Sequence, residues 1–550
     1  MTEVRLSLPQ PGWSHRWVSW FVFLLGVISL LPSIWSETSI TASDEYVLTF
    51  RTPMEMNERN QFLTPWCNEQ PRLRKPPLMY WAILGAYKTF GVNLVSARLW
   101  GVLAGAGLAL VACLMERELF RTSGLLAGLL CLSSVGLAAS ARQAMLDLPV
   151  ACSSALAVWL FVRWLRKQSL INLLPCAVWL GISFLLKGPV GLLFFLAGAG
   201  AALWTRGERG LLRRNLRQVI LCLGVFLALS IPWPLAMQIL WSDRFFKILA
   251  EEVSARQFGK STGMAPISAL GGALGLIAPW TPVVLAAVWQ HLRIDKSKRS
   301  PETNGLILWV LISVTPFFFM ESFERYMLAV LPAEAVIASV WLKREGTVQR
   351  VTMVIGVAAI ALAGCLFAIF SFWFKLAFWL PLGAFGLVIW LVWRSSRPAP
   401  AHALALGVIA LLVVVLGGIY PTLGLSSLPS NLQQIVGNRV ARTFNSSQPG
   451  LLSMRLGYSV QNFHPDRLKA GDVEIVIVEQ DACKQFEEVA GSAKLNAREL
   501  SRFGTLYSRK AWARFARRDA TQRDWMNAAR DRSLDGLRST FVIFEVVRPG

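Results

Sequence analysis

Long runs of apolar residues, separated by short polar loops, occupy most of the chain. A run of roughly 17–25 apolar residues is long enough to cross the hydrocarbon core of a bilayer as a helix. Such runs occur at 17–35, 94–114, 122–140, 148–165, 170–186, 188–205, 218–238, 267–289, 304–320, 327–342, 351–373, 375–393 and 401–421. The pattern predicts a polytopic α-helical membrane protein with about thirteen transmembrane helices.

The first apolar run, 17–35, follows Arg5 and Arg16 and so resembles the beginning of a secretory signal peptide. It is longer than a typical apolar signal region, and it has no Ala-x-Ala cleavage site. We therefore expect a retained membrane anchor.

The tail from about residue 423 onward has a different pattern. Short β-rich runs at 473–478 and 541–547 predict strands, and the charged stretch 484–533 is typical of helix. We expect two domains. Residues 1–422 form a transmembrane domain with a long first loop at 36–93, and residues 423–550 form a small soluble α/β domain.

Charge explains how the chain sits in the membrane. Charged residues make up only 16% of the chain, below the roughly 25% of soluble domains. The net charge of +22 comes from Lys and Arg in short loops, so we reject nucleic acid as a partner. If alternate loops face the cytoplasm together with the N-terminus, almost all the short basic loops fall on that side. The sequence predicts a bacterial inner-membrane protein whose first loop and C-terminal domain are periplasmic.

Two acidic sites fall on the predicted non-cytoplasmic side. Asp44 and Glu45 follow the first helix, and Asp147 stands alone between two apolar runs. A solvated helix end is the simpler explanation of such acids. Two carboxylates on one face can also serve as a general base and its orienting partner.

The same side also carries cationic and phenolic side chains. They are Arg74, Lys75 and Tyr80 around a Pro-Pro pair, Lys187 in a Lys-Gly-Pro turn, Arg256, Arg325 and Tyr326. Each cation alone is explained by a long side chain that reaches from a helix end to the interface. Their joint position beside two acids favours a site that binds a lipid phosphate and stabilises it as a leaving group.

The order of these motifs resembles a known family. Asp44-Glu45 is followed by Lys-Pro-Pro-Leu-x-Tyr-Trp at 75–81, Ser-Ala-Arg-Leu at 96–99, Leu-Asp-x-Pro at 146–149 and Leu-x-Lys-Gly-Pro at 185–189. This set is similar to the membrane glycosyltransferases of the GT-C superfamily. The aminoarabinose transferases that modify lipid A match best, and the protein O-mannosyltransferases are more distant. The motifs cover residues 15–345, and the tail agrees in architecture only.

The resemblance implies roles for the candidate residues. It makes Asp44 and Asp147 the catalytic aspartates and Lys75 the lysine that binds the lipid phosphate, with Arg256 and Tyr326 as further phosphate ligands. Glu45, Arg74, Tyr80 and Lys187 complete the expected donor site. The implied donor is a sugar on undecaprenyl phosphate, transfer inverts the anomeric carbon, and the acceptor is a lipid, a glycan or a protein.

One departure from the family concerns a metal ion. Aminoarabinose transferases have glutamate before Lys-Pro-Pro, where it is associated with a bound metal, and this chain has Arg74. The sequence therefore leaves a divalent metal ion and the identity of the acceptor open.

Two other function classes compete with an enzyme. A transporter or lipid flippase predicts internal repeats and charged or broken helices near the middle of the membrane. A non-catalytic assembly scaffold would act through its soluble tail. The clustering of polar motifs at helix ends favours the glycosyltransferase.

Overall fold

The structure is a computed structural model that describes residues 15–41, 44–207, 210–254, 265–320, 323–344, 346–395, 401–445, 451–506, 516–517 and 519–549. Helices account for most of the described chain up to residue 423. They are α1 (His15–Leu30), α2 (Arg51–Glu58), α3 (Leu78–Phe90), α4 (Leu94–Phe120), α5 (Leu125–Leu132), α6 (Val135–Ser140), α7 (Asp147–Lys167), α8 (Leu170–Lys187), α9 (Val190–Arg206), α10 (Leu211–Arg214), α11 (Leu216–Ser230), α12 (Pro232–Ser254), α13 (Ala265–Gly275), α14 (Thr281–Arg293), α15 (Pro301–Val314), α16 (Leu331–Leu342), α17 (Thr347–Trp373), α18 (Trp379–Ser395) and α19 (Ala401–Val414).

Seven helical stretches in the described residues are long and apolar enough to cross a membrane. They are Leu94–Phe120, Asp147–Lys167, Leu170–Lys187, Leu216–Glu251, Glu324–Leu342, Thr347–Trp373 and Ala401–Leu423. Shorter apolar helices cover Arg16–Leu30, Val190–Arg206, Ala265–Gly275 and Trp379–Ser395. The helical membrane fold is as the sequence predicts, and the exact number of thirteen spans stays a prediction.

Two of the predicted spans are broken helices that meet each other. The run 122–140 divides into α5 and α6 at Ser133 and Ser134, whose hydroxyls bond back to carbonyls of the preceding turn. The run 267–289 divides into α13 and α14. The amide of Val135 donates to the carbonyl of Ala278 at 2.8 Å, and the amide of Gly136 donates to that of Leu276 at 2.9 Å. Each break thus supplies hydrogen-bond partners to the other, as backbone inside a membrane requires.

The first loop and the tail build the polar end of the molecule. The loop contains α2, the short antiparallel pair β1 (Trp66–Cys67) and β2 (Gln70–Pro71), and α3. The tail contains β3 (Val440–Thr443), β4 (Gln461–Asn462), β5 (Val473–Glu479), β6 (Asn496–Thr505) and β7 (Ser539–Val547), with α20 (Leu432–Val436), α21 (Leu452–Leu456), α22 (Cys483–Ser492) and α23 (Gln522–Asp531). The five tail strands form one mixed sheet in the order β4-β3-β5-β7-β6. Two of them, β5 and β7, include the runs that the sequence predicts as strands. The prediction of helix over 484–533 is right for α22 and α23 and wrong for 496–505, which pairs with β7 as strand β6.

The tail contacts the first loop on both sides of Asp44. Before it, Glu37 accepts two hydrogen bonds of 2.6 Å from the guanidinium of Arg455. After it, the buried guanidinium of Arg51 donates to the carbonyl of Val460 at 2.8 Å. Apolar side chains of both parts, among them those of Phe50, Met54, Leu452 and Ile477, share one core. The sheet domain therefore fixes the loop that carries the first candidate aspartate.

The close contact between the two broken helices predicts that a side chain larger than glycine at position 136 destabilises the protein. A Cβ atom at Gly136 would lie 2.5 Å from the Cβ of Leu276, whereas a Cβ at Gly271 in α13 would meet nothing within 4 Å. We expect Gly136→Ala to destabilise the protein by about 1–3 kcal/mol, the usual cost of overpacking. The matched control Gly271→Ala leaves stability unchanged or slightly higher. Thermal unfolding in detergent measures both, and equal unfolding temperatures would contradict this packing.

Candidate functional site

A chain of ionic contacts joins the two candidate aspartates at one end of the bundle. The guanidinium of Arg325 donates from Nε to Asp147 at 3.1 Å and from Nη2 to Asp44, also at 3.1 Å. The ammonium of Lys187 bonds the other oxygen of Asp147. The side chain of Asp147 is 5% exposed, and that of Asp44 is 48% exposed. One carboxylate is thus buried between two cations, and the other faces open space.

Local helix geometry places Asp147 beside Lys187. Asp147 is the first residue of α7 and Lys187 the last residue of α8, and these antiparallel helices pack side by side. The acid therefore lies at the positive end of one helix dipole and the cation at the negative end of the other. Gly188 then ends α8 with φ at +80°, a conformation that favours glycine.

The third contributor is a 3₁₀ segment, Glu324–Val330, that leads directly into α16. It presents Arg325 to the two aspartates and Tyr326 to Lys187. The guanidinium of Arg325 lies 4.1 Å from the ring centre of Phe323, and the ammonium of Lys187 lies 4.0 Å from that of Tyr326. Aromatic faces therefore orient both cations of the cluster.

Glu45 lies directly behind this cluster in a fully buried ion pair. Its Oε1 accepts from Nε of Arg98 at 2.7 Å and from the backbone amide of Ala144 at 2.8 Å. Its Oε2 accepts from the hydroxyl of Thr41. Both residues of the pair have 0% exposed side chains. Glu45 therefore ties the residue after Asp44 to α4 and to the segment that begins α7.

Arg98 extends the same network toward the first helix. Its Nη1 donates to the carbonyls of Ile34 at 3.2 Å and Ser36 at 2.7 Å. A second buried arginine, Arg142, donates to the carbonyls of Ser29 and Pro32. Both guanidiniums thus bond to carbonyls at the C-terminal end of α1 and in the turns that follow it.

The remaining residues that the sequence predicts for the site are Tyr80, Lys75, Arg74 and Arg256. Tyr80 is fully buried, and its hydroxyl accepts from Nε of Arg72 at 2.9 Å. Lys75 is half-buried, while Arg74 is exposed and lies 3.8 Å from Glu251 of α12. Arg256 lies outside the described residues.

An apolar groove of about 600 Å³ begins beside the ion cluster. Its walls come from α9 and from the C-terminal part of α15 and the turn after it, with Leu193, Leu196, Ile312 and Phe317 among them. Tyr326 lines the same groove and touches Lys187, so it stands where the apolar wall meets the charged residues. The arrangement suits a ligand with a long hydrocarbon chain and an anionic head.

The residues here are not suited to a divalent metal. The described residues contain no group of three His, Cys, Asp or Glu side chains that could hold one. The carboxylates of Asp44 and Asp147 face Arg325 and Lys187 instead. Arg74 is itself a cation and lies beside Glu251, which works against a metal cation at that position.

Known proteins share both sequence and fold with this chain. Residues 74–235 match the family model of dolichyl-phosphate-mannose-protein mannosyltransferases. The crystal structure of ArnT from Cupriavidus metallidurans bound to undecaprenyl phosphate superposes with a TM-score of 0.69 at 18% identity, covering 96% of this chain and 97% of that one. The apo structure of the same protein gives the same TM-score at 17% identity.

Two uncharacterised proteins of Aquifex aeolicus (strain VF5) are also similar. One is 25% identical over 295 residues, which is 53% of this chain and 57% of that protein. The other is 26% identical over 228 residues, or 41% of this chain and 51% of that protein. The chain thus spans about half the length of the curated relatives it matches. In sequence over residues 74–235 and in fold over nearly the whole chain, this protein is similar to membrane glycosyltransferases of the GT-C superfamily. Within that class, the chain resembles ArnT.

Arg325 and Arg98 are the residues whose importance the sequence understated. In the sequence Arg325 is one of several cations on the same predicted side, and the structure makes it the bridge between both aspartates. Arg98 appeared only within a motif. A useful signal was available for Arg98, because an arginine inside an apolar span requires a buried partner.

The buried Glu45–Arg98 ion pair predicts that substitutions at the adjacent residues Glu45 and Asp44 differ in their effect on stability. Glu45→Gln leaves the guanidinium of Arg98 buried with a neutral partner, and breaking such a pair costs about 3–5 kcal/mol. The neighbouring Asp44→Asn changes a half-exposed side chain and serves as the control. Thermal unfolding in detergent should show a large decrease in the unfolding temperature for Glu45→Gln and a small decrease for Asp44→Asn. A Glu45→Gln protein as stable as the wild type would refute the structural role.

Proposed function

We propose that the protein transfers a glycosyl group from a polyprenyl phosphate donor, such as undecaprenyl phosphate sugar, to a lipid, glycan or protein acceptor. The observation that carries the proposal is the Asp44–Arg325–Asp147–Lys187 cluster at the head of an apolar groove. The GT-C resemblance supports the reaction class.

The donor's isoprenyl chain lies in the groove between α9 and α15, and its phosphate lies near Lys187, Arg325 and Tyr326. The apolar walls match the chain, and the cations match the phosphate charge. The ArnT structure with undecaprenyl phosphate, which has the same fold, supports this class of donor. Lys75 and Arg256 supply further positive charge to the phosphate.

Asp44 is the general base. Its half-exposed carboxylate can reach an incoming acceptor, whereas Asp147 is buried with both oxygens bound to cations. Asp44 takes the proton of the acceptor hydroxyl as that oxygen forms a bond to the anomeric carbon. The bond from this carbon to the phosphate oxygen breaks at the same time, on the opposite face of the sugar. The configuration therefore inverts, and polyprenyl phosphate leaves.

Lys187 and Arg325 stabilise the departing phosphate. Negative charge grows on its oxygens as the glycosyl bond breaks, and cations fixed beforehand act without reorganisation. Asp147 holds both cations in position. Its role is to orient the electrostatic groups while Asp44 handles the proton.

We place this reaction on the periplasmic side of the inner membrane, with the N-terminus in the cytoplasm. The distribution of basic loops supports the orientation. In this arrangement residues 1–422 form the transferase domain, and residues 423–550 form a periplasmic domain that supports its first loop.

The aspartates provide the direct test of catalysis. Asp44→Asn should reduce transfer by about 10²–10⁴-fold, the contribution of a general base. Asp147→Asn should also reduce transfer strongly, because Lys187 and Arg325 lose the carboxylate that holds them in position. The measurement is mass spectrometry of envelope glycolipids and glycoproteins from a deletion strain complemented with each variant. Asp295→Asn removes an exposed acid from a basic loop and should restore the wild-type pattern. Wild-type products from both aspartate variants would refute the assignment.

Lys75 provides a separate test of donor binding. Lys75→Ala should weaken binding of undecaprenyl phosphate roughly ten- to a hundred-fold, the loss expected for a charge-assisted hydrogen bond. Native mass spectrometry of the purified protein with added lipid gives the affinity. The control Lys296→Ala removes a lysine from a basic loop and should bind normally. Unchanged affinity of Lys75→Ala would place the phosphate elsewhere.

A further inference from the structure

Helix α23 of the tail has an exposed face that combines charge with an apolar side chain. Arg523, Met526 and Arg530 follow one another at spacings of three and four, so they share one face of the helix. The side chain of Met526 is 63% exposed. Both arginines are exposed as well. An exposed methionine between two guanidiniums is typical of a helix that lies on a membrane surface.

Helix α23 rests on the end of a membrane-spanning helix. The indole nitrogen of Trp373, the last residue of α17, donates to the carbonyl of Ala529 at 2.8 Å. The guanidinium of Arg532, just after α23, lies 4.3 Å from the ring centre of the same tryptophan. The position of α23 is therefore fixed relative to the end of a span.

Aromatic side chains mark this level as the membrane–water boundary. Phe372 near the end of α17, Phe378 in the turn that follows and Trp379 at the start of α18 are all more than half exposed. Exposed aromatic residues at the ends of spans are typical of the headgroup region. The exposed face of α23 thus lies where lipid headgroups are.

The nearby carboxylates neutralise only part of the positive charge that the arginines give to this face of α23. Asp524 is held by the capping box with Thr521 and by Arg517, and Asp531 lies 3.2 Å from Arg530. Within the described ranges, no carboxylate forms an ion pair with Arg523 or Arg532.

We propose that the face of α23 formed by Arg523, Met526 and Arg530, together with Arg532, binds anionic phospholipid headgroups in the leaflet where α17 and α18 end. The guanidiniums contact lipid phosphates while Met526 enters the boundary of the acyl chains. This surface is separate from the aspartate cluster and does not depend on the transfer reaction.

The test measures lipid binding to the full chain in a neutral detergent. Native mass spectrometry follows the uptake of phosphatidylglycerol and, separately, of phosphatidylcholine. Arg523→Gln/Arg530→Gln keeps the contact between Arg532 and Trp373 and should lower the phosphatidylglycerol affinity of this surface about 25-fold, since each cation near a lipid surface contributes about five-fold. Lys469→Gln/Lys484→Gln removes the same charge from exposed positions elsewhere in the domain and should bind as the wild type does.

The unfolding temperature of each variant verifies that the domain is intact. If the arginine variant loses stability, Met526→Gln replaces it, and a weaker uptake of phosphatidylglycerol is again expected. Unchanged uptake by a stable variant would overturn the proposal. An equal loss in the lysine control, an equal affinity for phosphatidylcholine, or complete displacement of the lipid by inorganic phosphate would also overturn it.

Discussion

The buried ion pair between Glu45 and Arg98 is the constraint on which the site depends. Two charges removed from water are stable only when every donor and acceptor around them is satisfied. Here the partners come from the first loop, from α4, from the residues after α1 and from the segment before α7. Asp44 is next to Glu45 in sequence, and Asp147 lies three residues after Ala144, whose amide bonds Glu45. Because these four segments must all be in place, the two aspartates are brought to the same end of the bundle.

Irregular backbone inside the helical part is a second constraint, and the fold meets it by pairing irregularities. The break between α5 and α6 donates two main-chain hydrogen bonds to carbonyls at the break between α13 and α14, so these backbone groups do not need water. The indole of Trp280 adds a bond of 2.8 Å to the hydroxyl of Ser133 across the same contact. The end of the bundle can therefore hold short, reoriented helices and turns close to the site without exposing polar backbone to lipid.

Sequence reasoning recovered the parts of this structure that depend on periodicity and topology. Alternation of spans was enough to assign Asp44, Asp147 and Lys187 to one end, because an odd or even number of crossings decides the side of each helix terminus. It does not reveal the break at Ser133, since the pair Ser133-Ser134 alone does not end an apolar run and the break depends on a partner more than a hundred residues away. Arg325 was likewise underestimated, because its bridging position depends on the three-dimensional approach of α7 to the segment before α16.

The contact between the tail and the first loop has a consequence for the biosynthesis of the protein. Glu37 and Arg455 are 418 residues apart in the chain, yet their contact helps to hold the loop that carries Asp44. This contact forms only after the ribosome has synthesised the sheet domain and that domain has reached the same side of the membrane. Until then the transmembrane helices lack the part that fixes the loop. Completion of the site is thereby delayed until the sheet domain has been made, so products of synthesis interrupted before that domain lack a correctly held Asp44.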